Sequence, residues 1–115
     1  MQRDDIACLH HILDAAEKAV SFVKGKARKD LDTDEMLSLS LVRLLEIIGE
    51  AANGVSLAFR DRFPHIPWRK MTGLRNRLIH GYFDVNLDIV WDTILEDLPP
   101  LVKDLKAITS AENAP

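Results

Sequence analysis

Nothing in the first 63 residues can break a helix as proline does. The prolines are Pro64, Pro67, Pro99, Pro100 and Pro115, and only Gly25, Gly49 and Gly54 loosen the stretch before them. Such a segment favours long helices if its apolar residues recur at helical spacing, and they do. Ile6, Leu9, Leu13, Ala16, Val20, Val23 and Ala27 alternate by three and four, the stripe of an amphipathic helix, with Asp4 and Asp5 suited to its positive end. A second helix is expected to begin near Asp32 to Asp34. From Leu37 to Val55 it is apolar nearly all round, with Arg43, Glu46 and Glu50 as a narrow polar stripe. A helix of that kind needs cover on more than one side, and a subunit interface is the natural source of the remainder.

Ser56 to Phe63 reads as a short helix. Pro67 suits the first position of a third helix through Trp68, Met71, Leu74, Leu78 and Ile79, which Gly81 is expected to stop. Asn86 is a good N-cap for a last helix carrying Leu87, Val90, Trp91, Ile94, Leu95 and Leu98. Pro99 and Pro100 must kink or break it before Leu101, Val102, Leu105 and Ile108 resume the pattern. The polar tail over 109–115 is expected to fray. No segment has the alternation of a strand. The fold class is therefore all-α, an antiparallel bundle of four to five helices. With 115 residues, 47% apolar and 29% charged, it forms one domain over 1–115 with one core.

Cys8 has no disulfide partner within the chain, and a single cysteine with no signal peptide suits a reducing cytoplasm. No apolar run approaches the ~20 residues of a membrane span. The net charge of −3 hides a local imbalance. Residues 60–80 hold Arg60, Arg62, Arg69, Lys70, Arg75 and Arg77 against Asp61 alone, whereas 81–115 are acidic. A basic island in an acidic chain is a plausible anion site.

Much chemistry is absent from the sequence. There is no glycine-rich phosphate loop and no zinc constellation, since His10 and His11 point apart and His65 stands alone. Nothing activates Cys8 as a nucleophile. What remains is Arg75-Asn76-Arg77-Leu78-Ile79-His80-Gly81-Tyr82. A histidine near a helix end can move protons near neutral pH, and a guanidinium fork suits phosphate oxygens. Arg75 and His80 make a minimal set for cleaving RNA, which supplies its own 2′-hydroxyl nucleophile and so needs neither metal nor cofactor. Asn76, Arg77, Arg69 and Lys70 are candidates for holding the RNA backbone. One geometric fact opposes the simplest version: residues five apart on a regular helix lie ~140° apart around it. Either the helix loosens before Gly81 or a second copy of the chain completes the site, and the second option also uses the over-apolar helix.

Arg75-x4-His80-x-Tyr82 resembles the signature of HEPN-domain proteins. Ile47-Ile48-Gly49-Glu50-Ala51, Pro64-His65-Ile66-Pro67-Trp68, Gly73 to Tyr82, and Asp88-Ile89-Val90-Trp91 leading to Asp97-Leu98-Pro99 resemble HepT-like toxins in particular. The resemblance implies a dimerising helical bundle in which two Arg75–His80 pairs share a cleft. It implies a metal-independent endoribonuclease, the toxin of a type VII-like toxin–antitoxin system. It also implies a cognate MNT-type nucleotidyltransferase antitoxin that transfers AMP from ATP onto Tyr82. Trp68 and Trp91 read as core anchors rather than platforms for bases. Two other readings compete: a non-catalytic nucleotide-binding or adaptor module, and a purely structural partner subunit.

Overall fold

The computed structural model describes residues 3–80 and 84–112, apart from the side chains of Arg3, His80 and Glu112. The chain is all-α, as its periodicity demands. Three long helices form the frame: α1 (Arg3–Phe22), α3 (Glu35–Asn53) and α8 (Leu98–Glu112). Between them lie α2 (Asp30–Thr33), α4 (Leu57–Arg62), α5 (Trp68–Thr72), α6 (Leu74–Leu78) and α7 (Leu87–Asp92). Two strands of two residues each, β1 (Ile79–His80) and β2 (Asp84–Val85), pair antiparallel. They correct the expectation of no strand. So short a pair carries no alternation for a sequence pattern to reveal.

Helix α1 packs on both α3 and α8. It therefore buries a wider face than one stripe: Leu9, Ile12, Ala15, Ala16, Ala19 and Val23 are buried, while Leu13 and Val20 lie at the edge and Ala27 is exposed. The alanines let the helices approach closely. Trp68 is buried, with its indole N–H donating to the Phe63 carbonyl at 3.0 Å, and Trp91 packs partly buried against the core.

The helix starts follow local chemistry. Asp34, Ser56 and Asn86 each accept a hydrogen bond from the backbone N–H three residues on, relieving the unpaired donors of α3, α4 and α7. Ser56 is held in turn by Asp5, which is only 4% exposed. The Ser56 backbone N–H and Oγ–H donate to the two Asp5 carboxylate oxygens at 2.7 and 2.8 Å, and Ser56 Oγ accepts from the Phe59 N–H. Asp5→Ala strands these donors in a half-buried site. We expect a loss of about 2 kcal/mol of stability, read as a lower urea midpoint with an unchanged slope.

Pro99 and Pro100 neither break nor end the last helix. The turn before them, Thr93–Asp97, is π-helical, and the Leu98 N–H reaches back five residues to the Thr93 carbonyl. The wider turn absorbs the lost proline donors and α8 continues. Of the tail expected to fray over 109–115, Thr109 is buried, its hydroxyl donates to the Leu105 carbonyl, and α8 runs to Glu112, while 113–115 lie outside the described residues.

Candidate active site

The third helix of the sequence reading is two short helices, broken at Gly73 and ended at Leu78. Met71, Leu74 and Leu78 recur by three and four and are buried against the core, with α3 the main neighbour of α5 and α6. That leaves Arg75, Asn76 and Arg77 exposed. Gly49 on α3 permits the closeness, since a Cβ there would stand 3.0 Å from the Met71 carbonyl oxygen. Ile79 leaves the helix with φ −120° and ψ 122°. The chain then enters β1, where Ile79 pairs with Val85 and His80 with Asp84.

The helix was expected to reach Gly81 and to carry His80 near its carbonyl end. It stops three residues earlier, and His80 lies in a strand. β-branched Ile79 prefers extended backbone, and the Leu78 carbonyl accepts from the Asn86 N–H at 2.7 Å, closing the hairpin instead of a further helical turn. The ~140° separation of a regular helix therefore does not apply between Arg75 and His80. The side chain of His80, and Tyr82 and Gly81 altogether, lie outside the described residues.

Arg75 is 70% exposed, and its Nε lies 3.9 Å from Oε2 of Glu46 on α3, which is 23% exposed. A contact this long orients the guanidinium yet leaves its fork open to another anion. Glu46 is the residue that sequence reasoning missed. It stood in the noted Arg43, Glu46, Glu50 stripe, but nothing local revealed its partner on α6. The rest of that stripe is self-paired, Arg43 Nη1 donating to Glu50 Oε1 at 3.3 Å.

The basic island divides. Arg60 is committed to structure: its guanidinium donates to the carbonyls of Ala52, Asn53 and Val55, capping the end of α3. Arg62 lies over the rings of Phe59 and Phe63. Lys70 pairs with Asp97 at 3.6 Å. Arg69 and Arg77 are exposed, with no ion pair among the described residues. Arg75 and Arg77, two residues apart, project to opposite flanks of α6.

Burial, then Asp5 and Asp4, push the Cys8 thiol above its ordinary value, away from the reactive thiolate. Among the described residues no group of three His, Cys, Asp or Glu side chains is placed to hold a metal, and no helix is long and apolar enough to cross a membrane.

The domain is all-α, with Arg75 exposed on one short helix and His80 just past its end, and its family match places it in the HEPN class. The chain is a member of the Ribonuclease HepT-like family, whose model it matches over residues 12–108. It is 42% identical over 104 residues to a protein named "Putative RNase" in Caldanaerobacter subterraneus subsp. tengcongensis, covering 90% of this chain and 93% of that one. It is 36% identical to a "Putative RNase" of Methanocaldococcus jannaschii, covering 93% of this chain and 98% of the relative. It is 37% identical to the "Probable ribonuclease HepT" of Thermococcus cleftensis, over 88% and 92%. No solved structure gives a significant match.

Proposed function

We propose that the chain is a metal-independent endoribonuclease that acts as a toxin, with Arg75 and His80 as its chemical pair. The observation that carries the reading is the exposed Arg75 guanidinium, steadied by Glu46, with His80 two residues past the end of the same helix. In the proposed reaction His80 takes the proton of a ribose 2′-hydroxyl. The 2′-oxygen bonds to phosphorus, the bond to the 5′-oxygen breaks, and that oxygen leaves with a proton. Arg75 neutralises charge growing on the non-bridging oxygens. Arg69, Lys70, Asn76 and Arg77 hold the flanking backbone.

The active form is a homodimer. On the outer side of α3, Met36 is 82% and Leu39 61% exposed, and Arg43, Ile47 and Glu50 continue that face towards Glu46. Two copies joined here cover the apolar residues that one copy cannot, and bring both Arg75–His80 pairs towards the twofold axis. One pair then acts as base while the other protonates the leaving oxygen. The partner protein is a nucleotidyltransferase of the MNT type, which transfers AMP from ATP to Tyr82. A phosphate so close in sequence to His80 and Arg75 occupies the anion site and repels RNA. The chain acts in the cytoplasm.

The test is expression alone and beside such a transferase. Alone, the chain is expected to arrest growth and cut RNA with excess chelator present. With the transferase and ATP it gains AMP and falls silent, and Tyr82→Phe escapes silencing. Protein that binds nucleotide but leaves RNA intact at high enzyme excess selects the adaptor reading instead.

A further inference from the structure

A groove of about 220 Å³ lies on the flank of α6 away from Glu46. Lys70 and Arg77 line one side, Asp92 and Glu96 the other, and Thr93 of the π-helical turn lies between them. The size is below the roughly 300 Å³ where drug-sized ligand sites begin, which fits one small planar group.

Two features mark it as more than a solvated surface. Thr93 is only 3% exposed, yet among the described residues its Oγ1 has no hydrogen-bond partner. A buried hydroxyl without a partner is costly, and π-turns gather at functional sites. The charges are also mixed. Asp97 is answered by Lys70, but Asp92 and Glu96 form no ion pair among the described residues, nor does Arg77. Unanswered carboxylates beside a face that attracts RNA weaken binding through repulsion, unless the RNA donates hydrogen bonds to them.

We propose that this groove is a subsite for a guanine base flanking the scissile phosphate, an inference that rests on the ribonuclease reading above. Single-stranded RNA is read through the Watson–Crick edges of splayed bases. Only guanine presents two adjacent N–H donors there, N1–H and the N2 amine, a match for the two oxygens of one carboxylate. Glu96 or Asp92 accepts that pair, the buried Thr93 hydroxyl turns towards the groove to donate to the base, and Arg77 meets the adjoining phosphate. Because Arg75 and Arg77 face opposite flanks of α6, an RNA strand crossing the helix meets the cleavage pair on one side and the base site on the other.

The full chain is titrated with guanosine, inosine and adenosine 5′-monophosphates, none of which it can cleave. Guanosine monophosphate is expected to bind about 10-fold more tightly than inosine monophosphate, which lacks the N2 amine, and than adenosine monophosphate. Glu96→Gln, at an exposed position, and Thr93→Val are each expected to remove most of that preference. Cleavage sites are then mapped on random-sequence RNA, where guanine is expected to be enriched at one position beside the cut and the enrichment lost in Glu96→Gln. Equal binding of the guanosine and inosine nucleotides, or cutting without guanine enrichment, overturns the base site while leaving the ribonuclease reading intact. Selective guanosine monophosphate binding by a chain that cuts no RNA supports the base site and overturns the ribonuclease reading.

Discussion

Arg75→Ala and His80→Ala are each expected to lower RNA cleavage by between about 10² and 10⁴, the range typical of losing an acid–base group or a charge-stabilising donor. Stability is expected to change little with Arg75, because its contact with Glu46 is long and the side chain exposed. The two changes are not additive. Groups acting on one phosphate fail together, so the double variant is expected to be scarcely slower than either single one. Arg75→Lys keeps the charge but loses the planar fork, and an intermediate rate is expected. Initial rates on one defined RNA, with melting curves to show that every variant folds, measure all four. Undiminished cleavage by either single variant removes that residue from the chemistry.

Much of the fold was legible because its signals are local. Asn86 was placed as a cap by residue type and does cap α7, and the short helix read over Ser56 to Phe63 is α4 (Leu57–Arg62), with Ser56 as its cap. Proline spacing marked the turn at 64–67, although Pro67 stands just before α5 rather than inside it. What sequence concealed depends on contacts between distant residues. Gly81 looked like the end of a helix, but the hydrogen bond from Asn86 to Leu78 ends it earlier. The stripe on α1 was drawn as a single one, whereas α1 packs on α3, on α8 and on the π-helical turn before it, so Ile12, Ala15 and Ala19 are buried as well. Asp5 looked like a helix-end charge, yet its carboxylate is used across the fold by Ser56.

The candidate site divides in the same way. Arg75 and His80 were singled out by chemistry within six residues of sequence. The separation of Arg60 from the basic island, and the pairing of Arg75 with Glu46, needed the helix packing. Charge alone cannot tell a guanidinium that caps a helix from one left open to an anion. In this chain the difference lies in whether backbone carbonyls or a single distant carboxylate oxygen face it.

Leu78 joins the core to the site, and Leu78→Ala is expected to disturb both. Its side chain is fully buried at the last position of α6, a helix of five residues anchored otherwise by Leu74. Truncating a buried leucine costs about 2–5 kcal/mol through lost burial and an unfilled cavity. For a domain of this size that lowers Tm by roughly 10–20 °C. The same residue's carbonyl holds Asn86 and so closes the hairpin containing His80. Loosening it frees the segment between Arg75 and His80, and catalysis depends on sub-ångström placement. Leu105→Ala is the matched control: Leu105 is equally buried, but on α8. Both variants are expected to lose similar stability in denaturant titrations. Assayed where each remains folded, Leu78→Ala is expected to lose cleavage by a further ~10-fold or more, while Leu105→Ala keeps it. Equal rates for the two would mean that Leu78 supports the core alone, and that α6 does not set the geometry of the pair.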